Sequence, residues 1–313
     1  MLSTVVGSLP AENHKPSNFK DKFLNAFGKY DPFRDAIRQA VFCQLDAGVD
    51  IISDGQTRGD MISAFSKYVP GMKIEKGNTY IVSKIKKPVS EISVNDLLFA
   101  KKLIREYYSG NVPENKNVKG IVTGPSTIVH SSRITSFYKN KDDAIIDLAR
   151  SLKYEIDAID KKVKPTYIQI DEPFLSTGMV NMKVAREAVD ILHEDLNVPL
   201  AMHVCGTIDG AYRELSKFNV EIFDFEFAGN NVNLDVLRDN INLFKNKKIG
   251  FGCIDSSKND MDSYESAENL VSQGIDIIGK ENILLDPDCG LRRAPKKIAY
   301  EKLKLMNDIK NKY

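Results

Sequence analysis

Residues 166–207 read TYIQIDEPFLSTGMVNMKVAREAVDILHEDLNVPLAMHVCGT. Two short apolar runs, 167–170 and 200–205, flank a stretch at 184–193 whose apolar residues recur at spacings of three and four, the period of a helix face. Strand, helix and strand in that order predict a parallel pair with the helix laid across it. The same unit repeats outward in both directions. Further apolar runs fall at 4–6, 49–53, 119–123, 221–227, 249–254 and 283–285, separated by helical patterns at 33–47, 144–159, 209–218, 234–244, 264–278 and 295–309. Eight strand–helix units in 313 residues fit a closed (β/α)8 TIM barrel better than a doubly wound sheet, and predict one barrel domain over residues 1–313. One segment breaks the alternation. In MKIEKGNTYIV, residues 72–82, Gly77-Asn78 separates two alternating runs, which predicts a small β-hairpin insertion after the second strand, within 66–92.

Composition narrows the function classes. The 42% hydrophobic content is enough for a core that needs no metal to fold. Lys plus Arg number 44 against 43 Asp plus Glu, so the net charge of +1 gives no field to favour nucleic acid. The lysine-rich stretches KIKKP (84–88) and KNKK (245–248) read as solvated surface. Neither GxGxxG nor GxxxxGK[ST] occurs between a strand and a helix, so nucleotide binding has no motif. No run of eighteen apolar residues predicts a membrane span, and MLSTVVGSLP lacks the basic and long apolar segments of a secretory signal; a cytoplasmic location is expected. The sequence leaves the oligomeric state open, and a monomer is plausible because a closed barrel has no open edge.

The chemistry-bearing residues sit where strands end. Gly7-Ser8 follows the first, Asp54-Gly55-Gln56 the second, Asp171-Glu172-Pro173 the fourth and Asp255-Ser256-Ser257 the seventh, so a barrel gathers them on one rim. Ser8, Asp54 and Ser257 read equally well as helix caps and turn formers. In LAMHVCGT, His203 and Cys205 are two apart, so both side chains leave the same strand face. Glu226 ends the sixth strand between Phe225 and Phe227, and Cys289 follows the eighth in DPDCG. Imidazole, thiolate and carboxylate from three strand ends suit zinc. Cys43 and Cys253 lie in apolar contexts and read as packing residues. A zinc held by two thiolates is a poor activator of water but a good holder of a third thiol as thiolate, which predicts alkyl transfer to sulfur. A zinc hydrolase with Asp171 or Glu172 as base, and a non-catalytic barrel scaffold, are the competing classes.

These segments together resemble the catalytic barrel of the cobalamin-independent methionine synthase family. The likeness is carried by VVGSLP (5–10), DAGVDIISDGQTRGDM (46–61), VTGPSTI (122–128), IQIDEP (168–173), HVCG (203–206), FEFAG (225–229) and LLDPDCGLR (284–292), which span nearly the whole chain. The long form of that family carries an additional N-terminal barrel, and this chain is similar to the short core form found in archaea. The resemblance implies a zinc-dependent methyltransferase that makes methionine from homocysteine, with His203, Cys205, Glu226 and Cys289 as zinc ligands. It places the substrate ammonium on Asp171 and its carboxylate on Ser8, with Glu172 orienting the assembly and Asp60 organising the neighbouring loop. Two departures bear on the rest of the site. Gln56 stands where the family has a glutamate, which weakens one charge contact to the amino group. The chain has no Trp to pack on a folate, and Asp255 occupies the place of a histidine suited to protonating the folate nitrogen. The implied donor is therefore methylcobalamin, free or on a corrinoid carrier protein, or methyltetrahydromethanopterin, rather than methyltetrahydrofolate. Another small thiol, such as coenzyme M, is the alternative acceptor. His130 reads as a capping residue rather than a substitute acid, and His14 and His193 have no constellation around them.

Overall fold

In chain order the strands are β1 (Leu2–Ser3), β2 (Ile51–Ile52), β3 (Met72–Glu75), β4 (Asn78–Ile81), β5 (Asn117–Val118), β6 (Gly120–Thr123), β7 (Ser132–Ile134), β8 (Ile168–Asp171), β9 (Leu200–Val204), β10 (Ile222–Glu226), β11 (Lys248–Ile254) and β12 (Ile283–Pro287). The structure, a computed structural model, describes residues 1–12, 14–17 and 19–313. Seven strands form one all-parallel sheet in the order β1-β12-β11-β10-β9-β8-β6. Helices cross between neighbours, as Met182–His193 does between β8 and β9 and Tyr264–Ile278 between β11 and β12.

The closed eight-stranded barrel expected from the sequence does not form. The sheet is curled but open: its edge strands β1 and β6 do not pair with each other. The run at 49–53 contributes only the two residues of β2, which pair with β5 in a separate two-stranded sheet and meet the first strand through one bridge, Thr4 to Ile51. Side chains take over the hydrogen bonds that a longer ladder needs. Ser53 gives its N–H to Gln44 Oε1 at 2.8 Å and its carbonyl accepts from Gln44 Nε2 at 3.0 Å, while Ser3 N donates to Asp50 Oδ2 at 2.9 Å. The run at 119–123 is also broken, with Lys119 lying between β5 and β6. An open sheet removes the closed-edge argument for a monomer.

Alternation along the strands sets what faces where. Ile168, Ile170, Met202, Val204, Phe223, Phe225 and Leu285 pack outward into the helix layer with Leu148, Leu152, Ala188 and Leu192. At about 1.5–3 kcal/mol for each such side chain, this layer supplies most of the drive to fold. The concave side is graded. Leu2, Ile51, Tyr167, Ala201, Ile222 and Leu284 form a small apolar plug near the strand starts. Two residues further along come Gln169, His203, Asp224 and Asp286, all buried. At the strand ends this side presents Asp171, Cys205 and Glu226 to a cavity. Below the plug, Asp50 is clamped between Lys116 Nζ at 2.9 Å and Lys310 Nζ at 2.8 Å.

Met72–Glu75 pairs antiparallel with Asn78–Ile81, from Met72 opposite Ile81 to Glu75 opposite Asn78. Lys76 and Gly77 between them both take positive φ, 49° and 77°, the turn that matches strand twist. The second strand of this hairpin pairs in parallel with β7, giving a three-stranded sheet. Among the described residues no helix is long and apolar enough to cross a membrane.

Candidate metal centre and substrate cavity

His203 and Cys205 leave the concave side of β9 and its continuation together, with Nε2 3.1 Å from Cys205 Sγ. Cys289, in the loop after β12, brings its Sγ to 3.9 Å from that of Cys205. The three potential ligand atoms all lie within 4.8 Å of one another. The other imidazole nitrogen, Nδ1, lies 3.0 Å from Asp224 Oδ1, directly across from it in the β9–β10 register. That contact is an ion-pair approach off the line of a good hydrogen bond, since neither atom has an aligned partner. A carboxylate on Nδ1 turns Nε2 toward the sulfurs. The Cys205 hydrogen bond, with His203 alongside, holds the Cys289 thiol down to about 4, whereas the same contact and burial push Cys205 up. One thiolate is thus already favoured. Two sulfurs and an imidazole nitrogen form a donor set that fits a soft divalent cation such as zinc.

Of the four ligands the resemblance implies, three come together in this way. Glu226 lines the same cavity, but its carboxylate is outside the cluster, with Oε2 accepting from Gly206 N at 3.0 Å. Burial pushes its pKa up. Cys253 is buried in β11 and Cys43 lies on the helix Arg34–Asp46, both away from the cluster.

The cluster opens into a cavity of about 650 Å³. Ser8, Gln56 and Asp171 line it beside the sulfurs. Ser8 packs so closely on Gly290 that a Cβ there would lie 2.1 Å from Ser8 Oγ; only glycine after Cys289 leaves the serine in place. Gln56 adopts φ 47°, a turn held by its N–H on Asp54 Oδ1 at 3.0 Å and by Arg292, which donates to the Gln56 and Gly59 carbonyls. Asp171 is buried, and burial raises it to about 6 against the opposing pull of His203, Gln169 and Lys119. Beyond these groups the cavity is walled by Met61, Phe65, Tyr68, Ile92 and Leu97.

Glu172 and Asp255 do not line the cavity. Glu172 turns to the start of the helix Pro125–His130, accepting from Ser126 N at 2.9 Å and from Thr127 N and Oγ1 at 2.8 and 2.7 Å. It therefore ties the end of β8, where Asp171 sits, to that helix. Asp255 accepts from Ser257 N and Oγ at 2.9 and 2.6 Å and pairs with Lys258 at 2.8 Å. Burial opposes its ionisation, yet Lys258 and Ser257 outweigh it and hold Asp255 at about 2. Asp60 caps its own loop through Ile62 N and Ser63 N, each at 3.0 Å. His130 sits outside the cavity, with Nδ1 2.9 Å from the Ser126 carbonyl.

Sequence reasoning passed over Asp224, Arg58 and Arg292. Asp224 lies two residues before Glu226 in FDFEF, so strand alternation puts both on one face, and that period was a usable signal. Arg58 lines the cavity while clamped between Asp31 Oδ2 at 2.5 Å and Asp96 Oδ1 at 2.7 Å, contacts no local pattern announces.

The family model described as "Cobalamin-independent synthase, Catalytic domain" matches residues 1–312. The chain belongs to that family. Membership makes the chain an enzyme, a methyltransferase, and its His203, Cys205 and Cys289 cluster, which could hold a metal ion, lies at the strand ends. The methionine synthase of Methanothermobacter thermautotrophicus is 44% identical over 308 residues, covering 98% of both chains. That of Methanocaldococcus jannaschii is 41% identical, covering 98% of this chain and 97% of its own. Among solved structures, a B12-independent methionine synthase from Shewanella sp. W3-18-1 in complex with selenomethionine aligns with a TM-score of 0.80 at 21% identity, over 99% of this chain and 97% of that one. At that identity the likeness speaks for the fold.

Proposed function

We propose that the protein transfers a methyl group to the thiol of L-homocysteine, forming L-methionine, at a zinc ion held by His203, Cys205 and Cys289 with Glu226 as the fourth ligand. The observation that carries this reading is that the His-Cys-Cys cluster opens into the cavity that Asp171, Ser8 and Gln56 also line. When bound, zinc in so sulfur-rich a set keeps an incoming thiol ionised at neutral pH instead of activating water. The chain's own groups do the remaining work. Asp171 receives the ammonium, and Ser8 with its backbone receives the carboxylate, so the substrate sulfur points toward Cys205 and Cys289. Gln56 adds a neutral polar contact. Glu172 holds the end of β8 against the helix start and touches no substrate. The apolar wall of Met61, Phe65 and Tyr68 excludes water and aligns the methyl carbon, so proximity supplies much of the rate.

For the donor, the reading is a methylated corrinoid, free or protein-borne, or methyltetrahydromethanopterin. A chain without Trp has no indole to stack on a folate. A carboxylate held at about 2, as Asp255 is, carries no proton to give the ring nitrogen of a folate or of a methanopterin, and a methyl leaving cobalt needs none, so this observation favours the corrinoid of the two donors. A sulfonated acceptor such as coenzyme M calls for a basic pocket, whereas the cavity presents the Asp171 carboxylate beside the sulfurs, which suits an ammonium. The test is methionine formation from homocysteine by zinc-loaded protein, run in parallel with methylcobalamin, methyltetrahydromethanopterin and methyltetrahydrofolate. Product from either of the first two and not from the third supports the reading. Turnover of coenzyme M in place of homocysteine would overturn the acceptor assignment.

A further inference from the structure

Lys119 is 0% exposed, on the concave side of the sheet at the break between β5 and β6. A lysine so placed persists only with acceptors and counter-charges around it. Its Nζ donates to Gln169 Oε1 at 2.5 Å, the Tyr167 ring centre is 5.4 Å away, and the carboxylates of Asp224, Asp286 and Asp171 surround it. An ammonium has donors only, so the Gln169 amide must face it with oxygen. The amide nitrogen is thereby turned the other way, where it donates to Asp171 Oδ1 at 2.7 Å and to the Val6 carbonyl at 2.9 Å. Val6 immediately precedes Gly7-Ser8. One side-chain amide, anchored through its oxygen by a buried lysine, thus ties together both halves of the proposed amino-acid site.

We propose that Lys119, acting through Gln169, is a positioning residue for recognition of a zwitterionic α-amino acid: it presents Asp171 to the substrate ammonium and anchors the Val6–Ser8 turn that faces the carboxylate. Asp171 Oδ1 is taken by Gln169, and Oδ2 has no hydrogen-bond partner among the described residues, so it remains for the substrate. Without the lysine the amide oxygen is left buried and unpaired, so the amide loses the anchor on its far side and Asp171 and the Val6 carbonyl lose a fixed donor. Neither Lys119 nor Gln169 lines the cavity, so their effect passes through Asp171 and the turn. This inference rests on the assignment of Asp171 to the ammonium.

The test compares Lys119→Met, Gln169→Leu and Asp171→Asn in the full zinc-loaded chain, reading KM and kcat for homocysteine, calorimetric binding of methionine, and bound zinc. Lys119→Met and Gln169→Leu are each expected to raise KM and weaken methionine binding by about tenfold, with kcat within about threefold and zinc content unchanged. The double variant should be no worse than either single, because both cut one path. If Lys119→Met does not fold, Gln169→Leu carries the test alone. Native KM and methionine binding in Gln169→Leu, with Asp171→Asn impaired, would overturn the positioning role and leave the Asp171 assignment standing. Native behaviour of Asp171→Asn would overturn that assignment and the inference with it.

Discussion

Cys205 and Cys289 lie 84 residues apart in the chain and 3.9 Å apart at their sulfurs. They belong to strand ends separated by two further strands, β10 and β11. In a flat sheet those ends would stand about 14 Å apart, three strand spacings. Curling is therefore what assembles the cluster, and each thiol depends on the other for a complete donor set. Cys289→Ala is expected to lower zinc affinity by at least about a hundredfold while leaving the unfolding midpoint of the zinc-free protein nearly unchanged. Zinc titration against a chromophoric chelator, with urea unfolding in parallel, reads both.

Asp224 acts one step behind. Its carboxylate meets the face of His203 turned away from the sulfurs, so Asp224→Asn should leave the imidazole in place but loosen its orientation. Zinc affinity is expected to fall by roughly 10- to 100-fold, the usual effect of losing a carboxylate behind a ligating histidine. An unchanged zinc affinity would show that packing alone orients the ring.

Glu172 has a structural task that Gly124 makes possible. A Cβ on residue 124 would stand 2.2 Å from Glu172 Cδ, so Gly124→Ala must displace the carboxylate from Ser126 and Thr127. A loss of about 2–3 kcal/mol is expected in urea unfolding, from overpacking and unpaired buried donors together.

Asp255 offers a contrast between likeness and geometry. Held ionised and turned onto Ser257 and Lys258, it has no proton to donate and no place on the cavity wall. Asp255→Asn should change kcat by less than about threefold, whereas removal of a true general acid costs about 10²- to 10⁴-fold. Steady-state rates with the preferred donor separate the two.

The opposite end of the sheet carries a stability switch at low pH. Burial opposes ionisation of Asp50, but Lys310, Lys116 and the Ser3 N–H outweigh it and hold its pKa below the usual 3.8. Its contribution is therefore present above about pH 4 and is lost as the pH falls from there through the lowered pKa of the folded form, because the unfolded chain takes up the proton more readily. Asp50→Asn should cost about 3 kcal/mol at pH 7, by stranding two largely buried ammonium groups. Urea unfolding of the zinc-free protein at pH 7 and pH 3 should show the difference between the two proteins shrinking at the lower pH.

The parallel order of strands and helices was legible because burial on both faces leaves a near-continuous apolar run, as in IFDF and KIGFGCI. Closure was not. The apolar run around Ile51 and Ile52 looks like any other strand, and nothing local shows that Gln44 and Asp50 satisfy the backbone around it. The convergence of His203, Cys205 and Cys289 was readable from the spacing of the first two and from the polar setting of the third. The carboxylate behind His203 was encoded in the same alternation as Glu226 but needed the strand register to be seen. Lys119 was hidden inside an apolar run, since the value of a buried charge depends on Gln169 and three carboxylates distant in sequence.

The most direct test of the central claim is zinc-edge X-ray absorption on the zinc-loaded protein, before and after addition of homocysteine. Two sulfur ligands alone, rising to three when homocysteine binds, is the predicted result. A count that stays at two while homocysteine is bound and converted to methionine would contradict the claim that the His203, Cys205 and Cys289 centre holds the thiol that is methylated.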